Sequence, residues 1–518
     1  MRDGFVIERR LLLRKRLLVV SMGIAASMAC LAQSAGPPPI DSFAGHPRVA
    51  ILSDIGNEPD DQMSFVRLML YSNELDLEAM IASTSTWQKT ATHPETMHAI
   101  VATYGQMRGN LLLHAKGWPE AATLDQRIFA GQPAYGMAAV GKGKTSAGSQ
   151  ALMRAIERDD PRPLWVCLWG GANTLAQALI DLRETRHSAA EMERLVSRLR
   201  VSSISDQDDA GAWLRREFPG LFYVVQPSSQ NGEEYFYATW TGISGDLYYR
   251  GATGADTSLV TNEWLDTNIR AKGPLGKMYP KFMFIMEGDT PSYLGLIDNG
   301  LNAYRRPDWG GWGGRYVYRQ PHGETHTIWS QGGDLFSRAS SQDRVKGVDG
   351  VEHVSDQATI WRWREGYQDD FAARMDWTVK DFAHANHAPQ LVVNGEAGTG
   401  VVEMTADEEQ TVTLDAAGSS DPDRNTLHYR WWVYEEAGLS GTHGADVAIA
   451  NADTSKATVT ATSACRAAWI SGLIPCKAEG VAHIILEVKD DGTPRLTSYR
   501  RIVLHVRPPA TTADASPH

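Results

Sequence analysis

Between Pro47 and Val225 the chain repeats one pattern: a short, mainly apolar run, a turn, then a stretch with helical spacing. "RVAIL" precedes an amphipathic stretch from Asp60 to Tyr71, "LEAMIAST" precedes one from Pro94 to Met107, and "NLLLHA" is followed by one from Ser149 to Asp159. "PLWVCLWG" leads into "NTLAQALIDLRE", and "RVSSIS" passes through "AGAWLRREF" to "LFYVVQ". A strand without polar alternation offers no face to water, and a helix-length crossover makes the next strand run parallel to the last. The pattern specifies an α/β fold, a mostly parallel sheet with helices on both faces, in which binding residues gather beyond the carboxyl ends of the strands.

A length of 518 residues exceeds what one core usually organises. From about Gln226 to Gln357 the chain is rich in Gly and Trp, with "KFMFIMEGDTPSYLGLI" as a further buried strand and turn. A helical stretch from Gln357 to Phe382 closes an α/β domain expected over residues 45–385, and "HANHAP", ending at Pro389, is the linker candidate. Residues 388–508 change character: "VTLDAAGSSDPDRNTLHYRWWVYE", "KATVTAT" and "AHIILEVKDDGTPRLTSYRRIVLHV" are alternating or β-branched runs between turn residues. They read as an all-β sandwich of immunoglobulin-like size, and "SSDPD" with "LHYRWW" resembles the PKD and cadherin-like modules of secreted bacterial enzymes. Residues 509–518 read as a disordered tail.

Residues 1–32 read as an export signal, with a basic start at Arg9, Arg10, Arg14, Lys15 and Arg16 and an apolar run from Leu17 to about Ala29. Cleavage near Ala32 gives an exported protein, periplasmic or extracellular, without a transmembrane segment. Lipidation at Cys30 is the alternative, although "SMAC" lacks the usual upstream Leu. Cys465 and Cys476 then form a candidate disulfide, and Cys167, inside an apolar strand, reads as core packing. A net charge of -12 disfavours a nucleic-acid polymer as partner and suits neutral ligands or bound cations. Nothing in the sequence sets the oligomeric state.

The first strand ends in "VAILSDIGNEPDDQ", which places Asp54, Glu58, Asp60 and Asp61 within eight residues. Pro59 suits the first position of the following helix, and acids in a first turn complement the helix dipole by about 0.3–1 kcal/mol each. Capping accounts for one or two acids. Four together repel unless a proton or cation compensates, and a hard divalent cation with oxygen ligands, Ca²⁺ above all, does so.

"DIGNEPDD" resembles the DxGxDD fingerprint of nucleoside hydrolases. It is still more similar to a group of secreted proteins described as cellulose-binding, with a nucleoside hydrolase-like domain and an appended sandwich domain. "LWGGANTLAQAL" is similar to that family's "GPLTNLALAL" segment, and "MEGDTPSYL" stands where the family's last metal-binding Asp ends a late strand; the resemblance runs from about Pro47 to Phe382. It implies Asp61 as a calcium ligand, Asp60 as the neighbour holding a sugar hydroxyl and a water, Asn173 as a backbone-carbonyl ligand, and Asp289 as the acid completing the shell. Asp54 matches the remaining ligand, which also serves as general base. Two departures stand out. The Asp54-to-Asp60 spacing is two residues longer than in the family, which makes Glu58 an alternative ligand or base. Gly288 occupies the position where many nucleoside hydrolases carry a His that protonates the departing base.

Such a site suits glycosidic-bond cleavage, in which a carboxylate deprotonates a cation-bound water against an oxocarbenium-like state. Glu287, Glu233, Glu234 and His326 are the candidate acids. In "SISDQDDAGAWLRREFPG", Asp206, Asp208 and Asp209 are either a helix cap or part of the same rim. Trp309 and Trp312 in "RRPDWGGWGGRYVY" either stack on a sugar ring or plug the core, and His322 and His326 read as loop histidines. The expected set is therefore Asp54, Asp60 and Glu58 for catalysis; Asp54, Asp61, Asn173 and Asp289 for the metal; and Asp60, Asp208, Glu287, Trp309 and Trp312 for substrate. The expected function is a secreted, calcium-dependent glycosidase-like hydrolase of a carbohydrate or glycoside. The alternatives are a non-catalytic carbohydrate-binding (cellulose-binding) protein and a true nucleoside N-ribohydrolase.

Overall fold

Strand β1 (Arg48–Ser53) is buried along its whole length, and its side chains divide between two cores. Val49 and Ile51 enter one face and Ala50 and Leu52 the other. β4 (Leu164–Leu168) pairs with β1 in parallel and divides the same way, Trp165 and Cys167 against Leu164, Val166 and Leu168. A continuous apolar run is what a strand covered on both sides requires.

The computed structural model describes residues 37–38, 41, 45–185, 188–228, 234–244, 253–333, 339–466 and 478–509. The expected export signal with Cys30, the acid candidate Glu233, Cys476 and all of the tail but Pro509 lie outside these residues. Cys465 is disulfide-bonded. Contacts separate Met1–Pro39 from a second compact unit, Ile40–His518, that holds both sheet systems. Among the described residues no helix is long and apolar enough to cross a membrane.

The larger sheet adds β2 (Asp76–Ala82), β3 (Ile128–Ala130), β5 (Leu199–Ser203), β6 (Phe222–Val224), β7 (Val317–Arg319) and β8 (Ile328–Ser330) in the order β3-β2-β1-β4-β5-β6-β8-β7. All neighbours are parallel except β7, which runs antiparallel to β8. Helices α1 (Pro59–Met69), α2 (Pro94–His114), α3 (Ala147–Glu157), α4 (Asn173–Thr185), α5 (Ala189–Ser197) and α6 (Ala210–Glu217) fill the crossovers, and α7 (Arg364–Asp376) follows β8. The strand order reverses between β1 and β4, so their carboxyl ends diverge and leave a crevice where open α/β sheets bind ligands.

Two small hairpins follow, β9 (Asp343–Lys346) with β10 (Glu352–Ser355) and β11 (Val392–Val393) with β12 (Glu396–Ala397). The carboxyl-terminal strands are β13 (Val402–Asp407), β14 (Thr411–Asp415), β15 (His428–Val433), β16 (Asp446–Ala450), β17 (Lys456–Ser463), β18 (Gly480–Lys489) and β19 (Thr497–Arg507). They form a four-stranded sheet, β13-β19-β18-β15, and a three-stranded one, β14-β17-β16, around a core that includes Trp431, Val459, Ile484 and Leu504. Adjacent strand side chains point to opposite faces: Trp431 enters that core, while Trp432 packs against Trp363, 5.6 Å between ring centroids, on the α/β side. The linker candidate is itself buried in part, with Asn386 bonded to Asp490 and His387 to Asp423. Arg501 of β19 reaches into the α/β core and donates to the carbonyls of Leu301, Trp309 and Gly310.

Candidate functional site

The β1 end and the first turn of α1 supply three of the four clustered acids. Asp54 leaves the strand directly, Pro59 opens the helix, and Asp60 and Asp61 follow in its first turn, all three acids buried. The extra residues in this turn bulge outward, with Gly56 and Asn57 exposed and Glu58 half-buried at the helix cap. The longer spacing is thereby absorbed in solvent, and Asp54 stays near enough to Asp61 for each to shift the other's carboxyl. Ser53 Oγ donates to Asp61 Oδ1 at 2.5 Å, and Ser85, beyond β2, bonds Asp54.

Asp289 arrives from the other side. The segment carrying it is tied to α1 twice: Arg67 Nη1 donates to Glu287 Oε2 at 2.8 Å, and Tyr293 Oη donates to the carbonyl of Ser64 at 3.0 Å. These ties bring carboxylate oxygens of Asp60, Asp61 and Asp289 within 4.8 Å of one another.

Three buried carboxylates at that separation cannot all ionise without compensation. Burial pushes the Asp60 carboxyl up to about 8, with Glu58 and Asp54 adding to it. Asp61 and Asp289 stand well above the usual carboxylate range, first through burial and then through the neighbouring acids. Asp54 rises to about 6, again chiefly by burial, with the Ser85 bond opposing it. Among the described residues, two oxygens, Asp60 Oδ1 and Asp289 Oδ2, are buried without a hydrogen-bond partner. Buried acceptors are normally satisfied, and an all-oxygen cluster with spare lone pairs fits a hard divalent cation.

The β4–α4 turn closes the crevice. A Cβ at Gly170 would meet Asp54 Oδ1 at 2.7 Å, and one at Gly171 would meet Asp208 Oδ2 at 2.5 Å. The absence of side chains there lets both acids lie against the turn. Asn173 donates its backbone N–H to Asp208 and its side-chain amide to Thr84 Oγ1 and the Ala134 carbonyl, which sets it at the start of α4 between the β2 and β5 ends. Asp208 accepts from Asn173 and Ala210, and burial pushes its carboxyl up to about 6. Asp206 pairs with Arg215, and Asp209 accepts the Met137 N–H.

Other expected residues lie elsewhere. Glu287 is fully buried, paired with Arg67 and accepting from Tyr279 Oη at 2.6 Å, so it faces away from the cluster. Trp309 and Trp312 are 2% and 3% exposed. Trp309 packs on His483 and Arg501 and Trp312 on Tyr499, all from the sandwich strands, so neither ring offers a face to a ligand. Core plugging, the alternative reading of these two rings, is what the packing supports. His326 precedes β8, at the amino edge of the sheet and opposite the acids. Glu234 sits at the turn before Tyr235–Tyr237.

Several residues around the cluster escaped the sequence reading. Gln88 donates to the carbonyls of Asp54 and Ile55, clamping the turn after β2 onto the turn after β1. A Cβ at Gly288 would lie 3.0 Å from Asp60 Oδ2 and 3.1 Å from the Trp240 ring, so that indole occupies the space beside the position where a His was sought. The Gly170-Gly171 pair was the one available signal for close packing here, whereas Ser53, Gln88 and Trp240 carry no periodic one.

Two family models match the chain: "Cellulose-binding Sde182, nucleoside hydrolase-like domain" over residues 48–316, and "Cellulose-binding protein Sde0182, C-terminal domain" over residues 411–506. A solved structure of a nucleoside hydrolase-related hypothetical protein from Saccharophagus degradans, described as associated with carbohydrate metabolism, is 35% identical. That match covers 89% of this chain and 100% of that one, with a TM-score of 0.72. The PKD domain from KIAA 1837 protein is 22% identical over 23% of this chain and 86% of its own, with a TM-score of 0.14. Human CDH23 EC21-23 is 14% identical over 23% and 33%, with a TM-score of 0.15. At these scores the last two bear on neither fold nor function. No curated protein matches.

Proposed function

The chain belongs to the cellulose-binding Sde182 nucleoside hydrolase-like family, and we propose that it is an exported carbohydrate-binding protein whose sugar pocket is organised by a divalent cation, Ca²⁺ being the expected one. The observation that carries this reading is the convergence of Asp60, Asp61 and Asp289, two of whose oxygens have no partner among the described residues. Asp60, Asp61 and Asp289 would hold the ion, with Asp54 and the Asn173 carbonyl as further ligands. Bound there, the cation would take vicinal sugar hydroxyls into its shell. Asp208 and the free oxygen of Asp60 would accept hydrogen bonds from the remaining hydroxyls. The ligand class rests on the family's description and that of the Saccharophagus protein.

A second reading, hydrolysis of an O- or N-glycosyl bond, is favoured by Asp54, which lies against Asp61 with its carboxyl at about 6, placed to take a proton from an attacking water. The leaving-group side favours binding instead, because Trp240 crowds position 288 and Glu287 is committed to Arg67. Incubating the purified protein with aryl glycosides, oligosaccharides and nucleosides, with and without chelator, separates the readings. Cation-dependent glycan retention without products supports binding, chelator-sensitive release supports hydrolysis, and inosine cleavage alone supports the nucleosidase. No retention and no product would defeat all three.

The raised carboxyls also set a pH dependence. In the ion-free protein Asp60 keeps its proton to about pH 8, and burial and the neighbouring acids hold the Asp61 and Asp289 carboxyls well above the usual carboxylate range, whereas the unfolded chain releases these protons near pH 4. Between those limits the folded state binds more protons, so its stability falls as pH rises. In chelator the melting temperature is expected to drop on the order of 5 °C from pH 5 to pH 8. Excess Ca²⁺ should raise it more at pH 8 than at pH 5, because the ion displaces protons there. A cation-induced shift equal at both pH values would count against the cluster as the binding site.

A further inference from the structure

We propose that Trp87 and Tyr235, the latter backed by the buried Trp240 ring, form an aromatic wall that seats a second ring of a glycan chain next to the sugar held at the carboxylate cluster, so that the ligand is an oligosaccharide rather than a monosaccharide or a nucleoside. The proposal rests on the carbohydrate reading above and extends it outward from the acids.

Trp87 lies at the tip of the turn that supports Asp54. Ser85 Oγ accepts from the N–H groups of Trp87 and Gln88, and the Gln88 amide clamps the Asp54 and Ile55 carbonyls. The turn is thus fixed at its base, while the indole remains 53% exposed. Its ring stands 6.5 Å from that of Tyr235, and Tyr235 stands 4.8 Å from Trp240 in an edge-to-face contact. Trp240 reaches the space beside Gly288 that Asp60 Oδ2 also borders. The three rings therefore run without a break from solvent to the acids.

Single exposed apolar side chains need no explanation, but grouped ones do. Trp240 belongs to a small separate core with Ile204, Ala238 and Ile285, against which Tyr235 and Phe236 pack. Their sequence neighbours Tyr237, Met283 and Phe284 are also exposed, at 46%, 71% and 49%. The apolar face of a sugar ring suits such a surface, with its equatorial hydroxyls left free for acids and water.

The test uses the full chain with excess Ca²⁺ and soluble cello-, xylo- and manno-oligosaccharides of increasing length, titrated calorimetrically against wild type and Trp87→Ala. Wild type should gain affinity when the second sugar is added. Trp87→Ala should bind the oligomer about tenfold more weakly while binding the monosaccharide as before. The Ca²⁺ affinity, measured without sugar, should not change. Equal oligomer affinity in wild type and Trp87→Ala would overturn the wall and leave the carbohydrate reading standing. No glycan binding by wild type, with Ca²⁺ binding intact, would overturn both.

Discussion

Asp289→Asn should lower divalent-cation affinity by about 100-fold or more, since loss of a residue that merely orients a ligand already costs about 10- to 100-fold. The same substitution should raise the melting temperature in chelator. Burial, and then repulsion from Asp61, Asp60 and Asp54, raises the Asp289 carboxyl well above the usual carboxylate range, so at neutral pH the ion-free fold must hold a proton that the unfolded chain releases; an amide of the same shape needs no proton and removes that cost. Opposite signs for affinity and ion-free stability are what a functional cluster produces and a structural one does not. Calorimetric titration with Ca²⁺ and thermal melts in chelator give the two readouts. Unchanged affinity in Asp289→Asn, or a loss of ion-free stability, would show that these acids serve the fold alone. Asp61→Asn is a less clean probe, because Asp61 also accepts from Ser53.

The parallel sheet was legible because strands buried on both faces leave a signature that does not depend on distant residues. Val49 to Leu52 and Leu164 to Leu168 are apolar at every position, and each position faces one of the two cores. The convergence of Asp289 with Asp60 and Asp61 was legible only through family resemblance, since more than two hundred residues separate them in sequence. Trp309 and Trp312 illustrate the opposite case. Two indoles in a Gly-rich loop meet every local requirement of a sugar platform. What covers them, His483, Tyr499 and Arg501, lies far along the chain in the sandwich strands, beyond the reach of any local pattern. Trp87 was passed over for the same reason in reverse: nothing local marks a turn residue as the one left in solvent beside the acids.

Glu287 shows how a backbone angle divides neighbours that sequence places together. It lies two residues before Asp289, and its φ of 55° puts it in the left-handed region. The chain thereby turns its side chain back toward α1, into the Arg67 guanidinium, while Asp289 enters the cluster. Arg67 is fully buried, donating also to Gln368 and the Tyr367 carbonyl, with the Phe371 ring 4.4 Å from its guanidinium carbon. Glu287→Gln keeps an acceptor for Tyr279 but leaves that guanidinium without its counter-charge, and breaking a buried pair from one side costs about 3–5 kcal/mol. Denaturant unfolding should show a loss of that size, and Arg67→Met alone should show a comparable one, because it strands the carboxylate. The double variant Arg67→Met/Glu287→Gln should recover at least about 2 kcal/mol relative to the sum of the two. Single-variant losses within about 0.5 kcal/mol would mean that the pair does not hold the segment. Because the pair ties that segment to the helix carrying Asp60 and Asp61, cation affinity should fall in Glu287→Gln as well; in the double variant, which lacks the tie, it should stay low if the pair acts by holding position and recover if the loss came from the unbalanced charge.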